Sequence, residues 1–218
     1  MSESATTMWP WLALLLLGAV HGVNPGMGWL FAVALGVQDG ERRAVWRAML
    51  PLAAGHAVAI ALAIAAAAAA GVVLPVARLR WVIAAALLAL GVSRLVRHRH
   101  PRWGGMRVGG RDLAVWSFLM ATAHGAGLMA LPFVIRATAP DSARYAAHAA
   151  HGTLLGVGPG AALIATAVHS AAYLLVTATV AVVVYEKLGL RVLRRAWVNF
   201  DLLWAGALVA TALLTPLL

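Results

Sequence analysis

The chain is written in long apolar runs separated by short polar punctuation. The runs fall at about 9 to 37, 47 to 73, 79 to 96, 113 to 135, 160 to 185 and 197 to 217. Each reaches the roughly 18 apolar residues that a helix needs to cross a bilayer. Six membrane helices are expected, in one membrane domain over 1–218. The first run contains a polar interruption, His21-Gly22-Val23-Asn24-Pro25-Gly26-Met27-Gly28-Trp29. Proline removes a backbone hydrogen bond and the flanking glycines admit close backbone approach, so helix one is expected to open at Asn24-Pro25-Gly26.

Composition fixes the class. The chain is 63% hydrophobic and 11% charged, with mean hydropathy +0.87, which makes it an all-α integral membrane protein. The formal charge of +10 does not call for nucleic acid as a partner, because the basic residues fall between apolar runs and follow the positive-inside rule. The turns after helices one, three and five hold Arg42, Arg43 and Arg47, then Arg94, Arg97, Arg99, Arg102, Arg107 and Arg111, then Lys187, Arg191, Arg194 and Arg195. The opposite side holds Arg78, Arg80, Arg136 and Arg144. This bias predicts a multi-pass protein of the bacterial cytoplasmic (inner) membrane with both termini outside. The absence of Lys and Arg before Arg42 argues against a cleaved signal peptide. With no cysteine, thiol exchange and thiolate metal sites are excluded. Trp9, Trp11, Trp46, Trp81, Trp116 and Trp197 fall near span ends, as an aromatic belt requires, whereas Trp29 and Trp204 do not.

Three further stretches carry pattern. Arg97-His98-Arg99-His100-Pro101-Arg102-Trp103 is a basic patch suited to anionic lipid headgroups, with metal handling by its histidines as the competing reading. The stretch from Pro140-Asp141 to Gly152 predicts a short surface helix with His148 and His151 on one face, packed as plain structure or collecting ions. The hexa-alanine run at 65 to 70 reads as a small-residue packing face.

The two halves of the chain repeat. Val20-His21-Gly22 followed by Gly26-Met27 in helix one matches Ala123-His124-Gly125 followed by Gly127-Leu128-Met129 in helix four. His56 in helix two matches His169 in helix five, and Val76, Arg78, Trp81 and Val82 match Val192, Arg194, Trp197 and Val198. The pairs His21–His124, His56–His169 and Trp81–Trp197 lie 103, 113 and 116 positions apart, a drift most of which one insertion before helix five explains. A unit of three helices must enter the membrane from opposite sides in its two copies. The expected fold is therefore six transmembrane helices as a 3+3 inverted-topology repeat, about 9–96 and about 113–217, with a site at the midplane between the repeats. His21, His56, His124 and His169 all stand near mid-helix and are expected to converge.

Ionisable residues at the bilayer centre are costly and mark sites or pathways; a single histidine reads more simply as bonding a neighbouring carbonyl or hydroxyl, four at paired positions do not. Imidazole suits Zn, Cu, Ni and Co; Met27 and Met129 offer soft thioethers or plain apolar filling. No carboxylate stands at that depth, which disfavours Mg and Ca. Asp201, with Asn199 near it, either pairs with Arg194 or Arg195 at the membrane edge or takes up protons in a coupled cycle.

His21, the Pro-Gly opening, the turn Glu41-Arg42-Arg43 and Gly55-His56 together resemble the NicO-type nickel/cobalt transporters, within the LysE-like transporter superfamily. The likeness covers helices one and two, and the six-helix count agrees with it. The chain departs from that pattern at Met27, where the family has a histidine, and at Asn24, where it often has an acid. The resemblance implies a metal role for His21 and His56 only; His124 and His169 come from the repeat. The leading expectation is a transporter, not an enzyme, that moves a transition-metal ion (Ni, Co, Cu or Zn) past these histidines. Asn24, Trp29 and Asp201 would lie on its pathway. A haem-binding redox protein with paired axial histidines and a LysE-like exporter of a small organic solute are the alternatives, and an intramembrane metalloenzyme ranks last. Whether the chain assembles with copies of itself stays open.

Overall fold

A computed structural model describes residues 3–73, 76–96, 109–138, 159–188 and 200–217. Every element among them is helical. Helix α1 (Glu3–Val23) runs to the polar interruption and stops there. Asn24 caps a single 3-10 turn, Pro25–Met27, its side-chain oxygen accepting from the Gly26 amide at 2.9 Å. Pro25 occupies the first helical position, where a missing N–H costs nothing. Gly28 then turns the chain at φ 127°, a region that L side chains rarely adopt, and α2 (Trp29–Asp39) begins. The predicted opening of helix one is thus present, as a break between two separate helices. Gly40, at φ 66°, closes α2 in a left-handed cap, and α3 (Arg42–Val73) and α4 (Val76–Val96) follow.

A second break comes where the run at 113 to 135 led us to expect one helix. Helix α5 (Gly110–Ala123) ends at His124, Gly125 takes φ 71°, and α6 (Ala126–Thr138) departs at 62° to it. The remaining elements are α7 (Pro159–Val183), which ends in a π-helical turn at Val184–Leu188, and α8 (Phe200–Leu214), followed by a 3-10 turn at Thr215–Leu217.

By length and composition two helices can cross a membrane, Arg42–Ala70 and Ala162–Lys187, with mean hydropathies of 2.1 and 2.0. The bent pair α5 and α6 makes a third if it is one span. The described residues therefore supply two or three such helices where the apolar runs predicted six. The first break leaves Trp29–Asp39 as a separate, shorter apolar helix, and Met8–Val23 and Ala205–Leu214 are the fully described parts of two others.

Packing joins elements distant in sequence. Helix α1 lies mainly against α7, α3 against α5, and α4 against α8, with α3 also contacting α7. Glycine permits the closest of these approaches. A Cβ on Gly18 would stand 2.2 Å from the His169 carbonyl oxygen, and one on Gly22 would stand 2.6 Å from that of Tyr173. The spacing Gly18-x-x-x-Gly22 thus seats α1 directly on the α7 backbone, the close small-residue packing that helices use in lipid. A Cβ on Gly55 would meet Ala114 O at 2.1 Å, so α3 and α5 meet in the same manner. One core cluster gathers Leu14, Met27, Ile60, Leu87, Met129 and Tyr173; a second holds Trp29, Val33, Val45, Leu52 and Leu113. Leu12, Leu15, Leu16 and Val20 of α1 face outward. Of the alanine run, Ala67 is buried and Ala65, Ala66 and Ala69 are exposed, so it is a packing face along one line only.

Charge collects at the turn between α2 and α3. Arg47 meets Asp39 at 2.9 Å, and Arg42 meets Glu186 in the π-helical turn at 2.9 Å. The basic patch at 97 to 103, the segment bearing His148 and His151, and the arginines at 191, 194 and 195 lie outside the described residues. Trp46 and Trp81 are exposed, as an aromatic belt has them. Trp116 instead bonds inward, and Trp9 packs edge-on against Phe133 with ring centres 5.9 Å apart.

Candidate functional site: a buried histidine cluster

Three helices each contribute an imidazole to one point in the core. His21 comes from the last turn of α1, His56 from the middle of α3, and His169 from α7. All three are fully buried at 0% exposure. Their ring centres form a near-equilateral triangle, with His21–His169 at 5.0 Å, His21–His56 at 5.5 Å and His56–His169 at 5.5 Å. The close seating of α1 on α7 at Gly18 and Gly22 is what carries His21 to His169.

Two of the rings have their orientation set by backbone carbonyls. His21 Nδ1 lies 2.7 Å from Leu17 O, one turn back in its own helix, and His169 Nδ1 lies 3.0 Å from Leu14 O across the α1–α7 interface. A carbonyl only accepts, so the proton of each neutral ring sits on Nδ1 and the lone pair on Nε2. Among the described residues His169 Nε2 has no hydrogen-bond partner. His56 differs, since neither of its ring nitrogens has one among them. Its plane is held instead by Tyr173, whose ring lies flat on it at 3.9 Å between centres and 14° between planes. Among the described residues, no group of three or more His, Asp or Glu side chains is arranged to hold a metal ion as it stands.

The fourth predicted histidine occupies the second break. His124 is 4% exposed, and its Nδ1 lies 2.8 Å from Met120 O, the same one-turn-back contact that His21 makes before the first break. It stands within electrostatic range of His21. Met27 and Met129 are buried in the core cluster that also holds Tyr173. Asn24 and Trp29 are buried and serve the break itself: Asn24 caps the Pro25 turn, and Trp29 Nε1 donates to Val23 O at 2.9 Å. Asp201 lies in the first turn of α8, and its side chain lies outside the described residues.

Donors from other helices satisfy the carbonyls freed by the first break. Trp116 Nε1 donates to Gly26 O at 3.1 Å, the Tyr173 hydroxyl to Met27 O at 2.7 Å, and Thr177 Oγ1 to Gly22 O at 3.4 Å. His169, Tyr173 and Thr177 follow one another at four-residue spacing, so one face of α7 serves both the cluster and the break. Sequence reasoning missed Tyr173 and Trp116, which sit in apolar runs and read as core or belt. The signal available was the four-residue step from His169 to Tyr173 to Thr177. Comparison of the chain with protein-family models, with curated proteins and with solved structures found no match.

Proposed function

We propose that the protein is a membrane transporter for a transition-metal cation, with His21, His56 and His169 as the donors that the ion meets midway. The observation that carries this reading is the triangle of three fully buried imidazoles, two of them with Nδ1 held by a carbonyl. Outer hydrogen bonds of this kind fix the tautomer and aim of metal-ligating histidines. Spacing supports it too. At a metal–nitrogen distance of about 2.0–2.1 Å, an imidazole centre lies roughly 3.2 Å from the ion, and two such rings at a tetrahedral angle have centres about 5.2 Å apart. The observed 5.0 to 5.5 Å differs from that by a few tenths of an ångström. Axial ligation of haem places two imidazoles on opposite sides of the iron, with centres roughly 6.4 Å apart by the same distances; the closer packing here favours a bare ion.

The packing also supports a 3+3 inverted repeat. Exchanging α1 and α2 with α5 and α6, α3 with α7, and α4 with α8 preserves the four most extensive pairings, although α2–α3 and α1–α6 have no equal counterparts. The α1–α7 pair becomes α5–α3, and the α4–α8 and α3–α7 pairs map onto themselves. Each first helix of a repeat breaks just after, or at, a histidine whose Nδ1 faces a carbonyl one turn back. Broken helices meeting at a midplane site are the usual construction of transporters with inverted repeats. NicO-type nickel/cobalt transporters remain the family that the sequence resembles, and residence in the bacterial cytoplasmic membrane with both termini outside follows the basic-residue bias.

The test is flux of Co(II), Ni(II), Zn(II) and Cu(I) into liposomes holding the purified protein, with His56→Ala and His169→Ala beside it. Flux of one ion that both substitutions abolish supports the reading. Equal flux in all three proteins, or none above empty liposomes, refutes it.

A further inference from the structure

Tyr173 contacts both the histidine cluster and the break in helix one. Its ring stacks on His56, and its hydroxyl donates to the carbonyl of Met27, the last residue of the Pro25–Met27 turn. It is fully buried at 0% exposure, and the hydroxyls of Ser117 and Thr177 lie within hydrogen-bonding reach of its own. Ser117 in turn donates to Leu52 O at 2.7 Å, one turn before His56 in α3. The phenol is therefore fixed at its tip by the break and by α5, while its face fixes an imidazole from α3.

His56 needs such a support more than its neighbours do. His21 and His169 are aimed by carbonyls, whereas among the described residues neither nitrogen of His56 has a hydrogen-bond partner that would select its tautomer. Stacking fixes the ring plane and leaves its two edges equivalent. A half-turn about Cβ–Cγ keeps the ring on the Tyr173 face and exchanges which nitrogen points into the triangle. His56 is thus the adjustable donor of the three, and Tyr173 restricts its adjustment to a single plane.

Resting on the transition-metal reading above, we propose that Tyr173 is a positioning residue that sets the plane of His56 as third donor and ties that plane to the turn at Pro25–Met27. Movement of the turn that draws Met27 O away pulls on the phenol hydroxyl and swings the ring on which His56 lies. Loading of the site and opening of the break are then one event, linked through one side chain.

Two substitutions separate the links. Tyr173→Phe keeps the stacked ring and removes the hydroxyl; Tyr173→Leu removes both. Co(II) alone is the probe, added to the purified full-length protein in nanodiscs, with its visible d–d absorption reporting the number and geometry of donors. Tyr173→Leu is expected to weaken Co(II) binding by about 10- to 100-fold, the usual effect of losing a partner that orients a ligand, and to give the band intensity of His56→Ala. In a His56→Ala background it should weaken binding no further. Tyr173→Phe should keep the native spectrum but speed amide hydrogen exchange at residues 26 to 28. A native Co(II) spectrum and affinity in Tyr173→Leu overturn the proposal, as does a loss that adds fully to that of His56→Ala. Co(II) that fails to bind the unsubstituted protein refutes the metal reading instead. The link to the turn then stands or falls on the hydrogen exchange of Tyr173→Phe, which needs no metal.

Discussion

Gly18→Ala is the smallest change that tests how the histidine triangle is assembled. The added methyl would meet His169 O at 2.2 Å and the Ala172 Cβ at 3.0 Å, and the first of these is backbone that no rotamer can move. Ordinary contact requires α1 and α7 to part by about 1 Å, an overpacking that costs about 1–3 kcal/mol. The same movement pulls Leu14 O from His169 Nδ1, now 3.0 Å away, past hydrogen-bonding range, for about 1 kcal/mol more. A total of about 2–4 kcal/mol corresponds to a fall in Tm of roughly 4–16 °C for a chain of this size. The loss of His169's tautomer lock should also weaken Co(II) binding. The assay is thermal unfolding in nanodiscs followed by near-UV circular dichroism, with Gly206→Ala and Gly160→Ala as controls. No described residue lies within 4 Å of a Cβ at either control position, so both should hold or slightly raise Tm, alanine being the better helix former. A Gly18→Ala protein that melts with the controls would falsify the claim that close α1–α7 contact builds the site.

Other substitutions probe the break and the orientation. Trp116→Phe keeps the edge-on contact with Phe31, ring centres 5.0 Å apart, but leaves Gly26 O without its donor. It should cost about 1–3 kcal/mol, measured as a shift in unfolding midpoint. Gly28→Ala places a methyl 2.5 Å from Leu52 Cδ2 at φ 127°, and should reduce folded yield more than any other alanine substitution in the turn. Arg42→Ala removes an ion pair whose side chains are 58% and 34% exposed, and should change stability by less than about 1 kcal/mol. Because the chain has no cysteine, single cysteines report topology without background. Ser4→Cys should react with an impermeant maleimide from outside and Arg43→Cys from inside; the opposite pair of faces would reverse the charge-based orientation, and labelling of both from one face would refute a single crossing between them.

The parts of the structure legible in the sequence were those carried by residue chemistry. Proline and glycine announced the break after Val23 because proline removes a donor wherever it stands. The break at His124-Gly125 lacks proline and depends on Gly125 alone, at φ 71°, a conformation that many glycines in apolar runs never adopt. The meeting of His21, His56 and His169 was legible because an imidazole in a long apolar run has few reasons to be there. Tyr173 and Trp116 were not, because aromatic residues belong in such helices anyway, and only the partner's position shows what the phenol or indole holds. The seating of Gly18 and Gly22 on α7 depends on which helix lies opposite, and that pairing of the first helix with a later one follows from tertiary topology.

The length of α3 has an electrical consequence. His56 stands 14 residues from Arg42 and 17 from Val73, about 21 Å and 26 Å along the helix axis at 1.5 Å per residue. On the transporter reading proposed above, with α3 spanning the bilayer, an ion at the cluster would have crossed about half of the membrane's potential drop, whichever face it entered from. For a divalent cation that is worth about 2.3 kcal/mol per 100 mV, enough to change its occupancy nearly fiftyfold. The membrane voltage would act on the cluster as a second ligand, loading it from one side and emptying it toward the other.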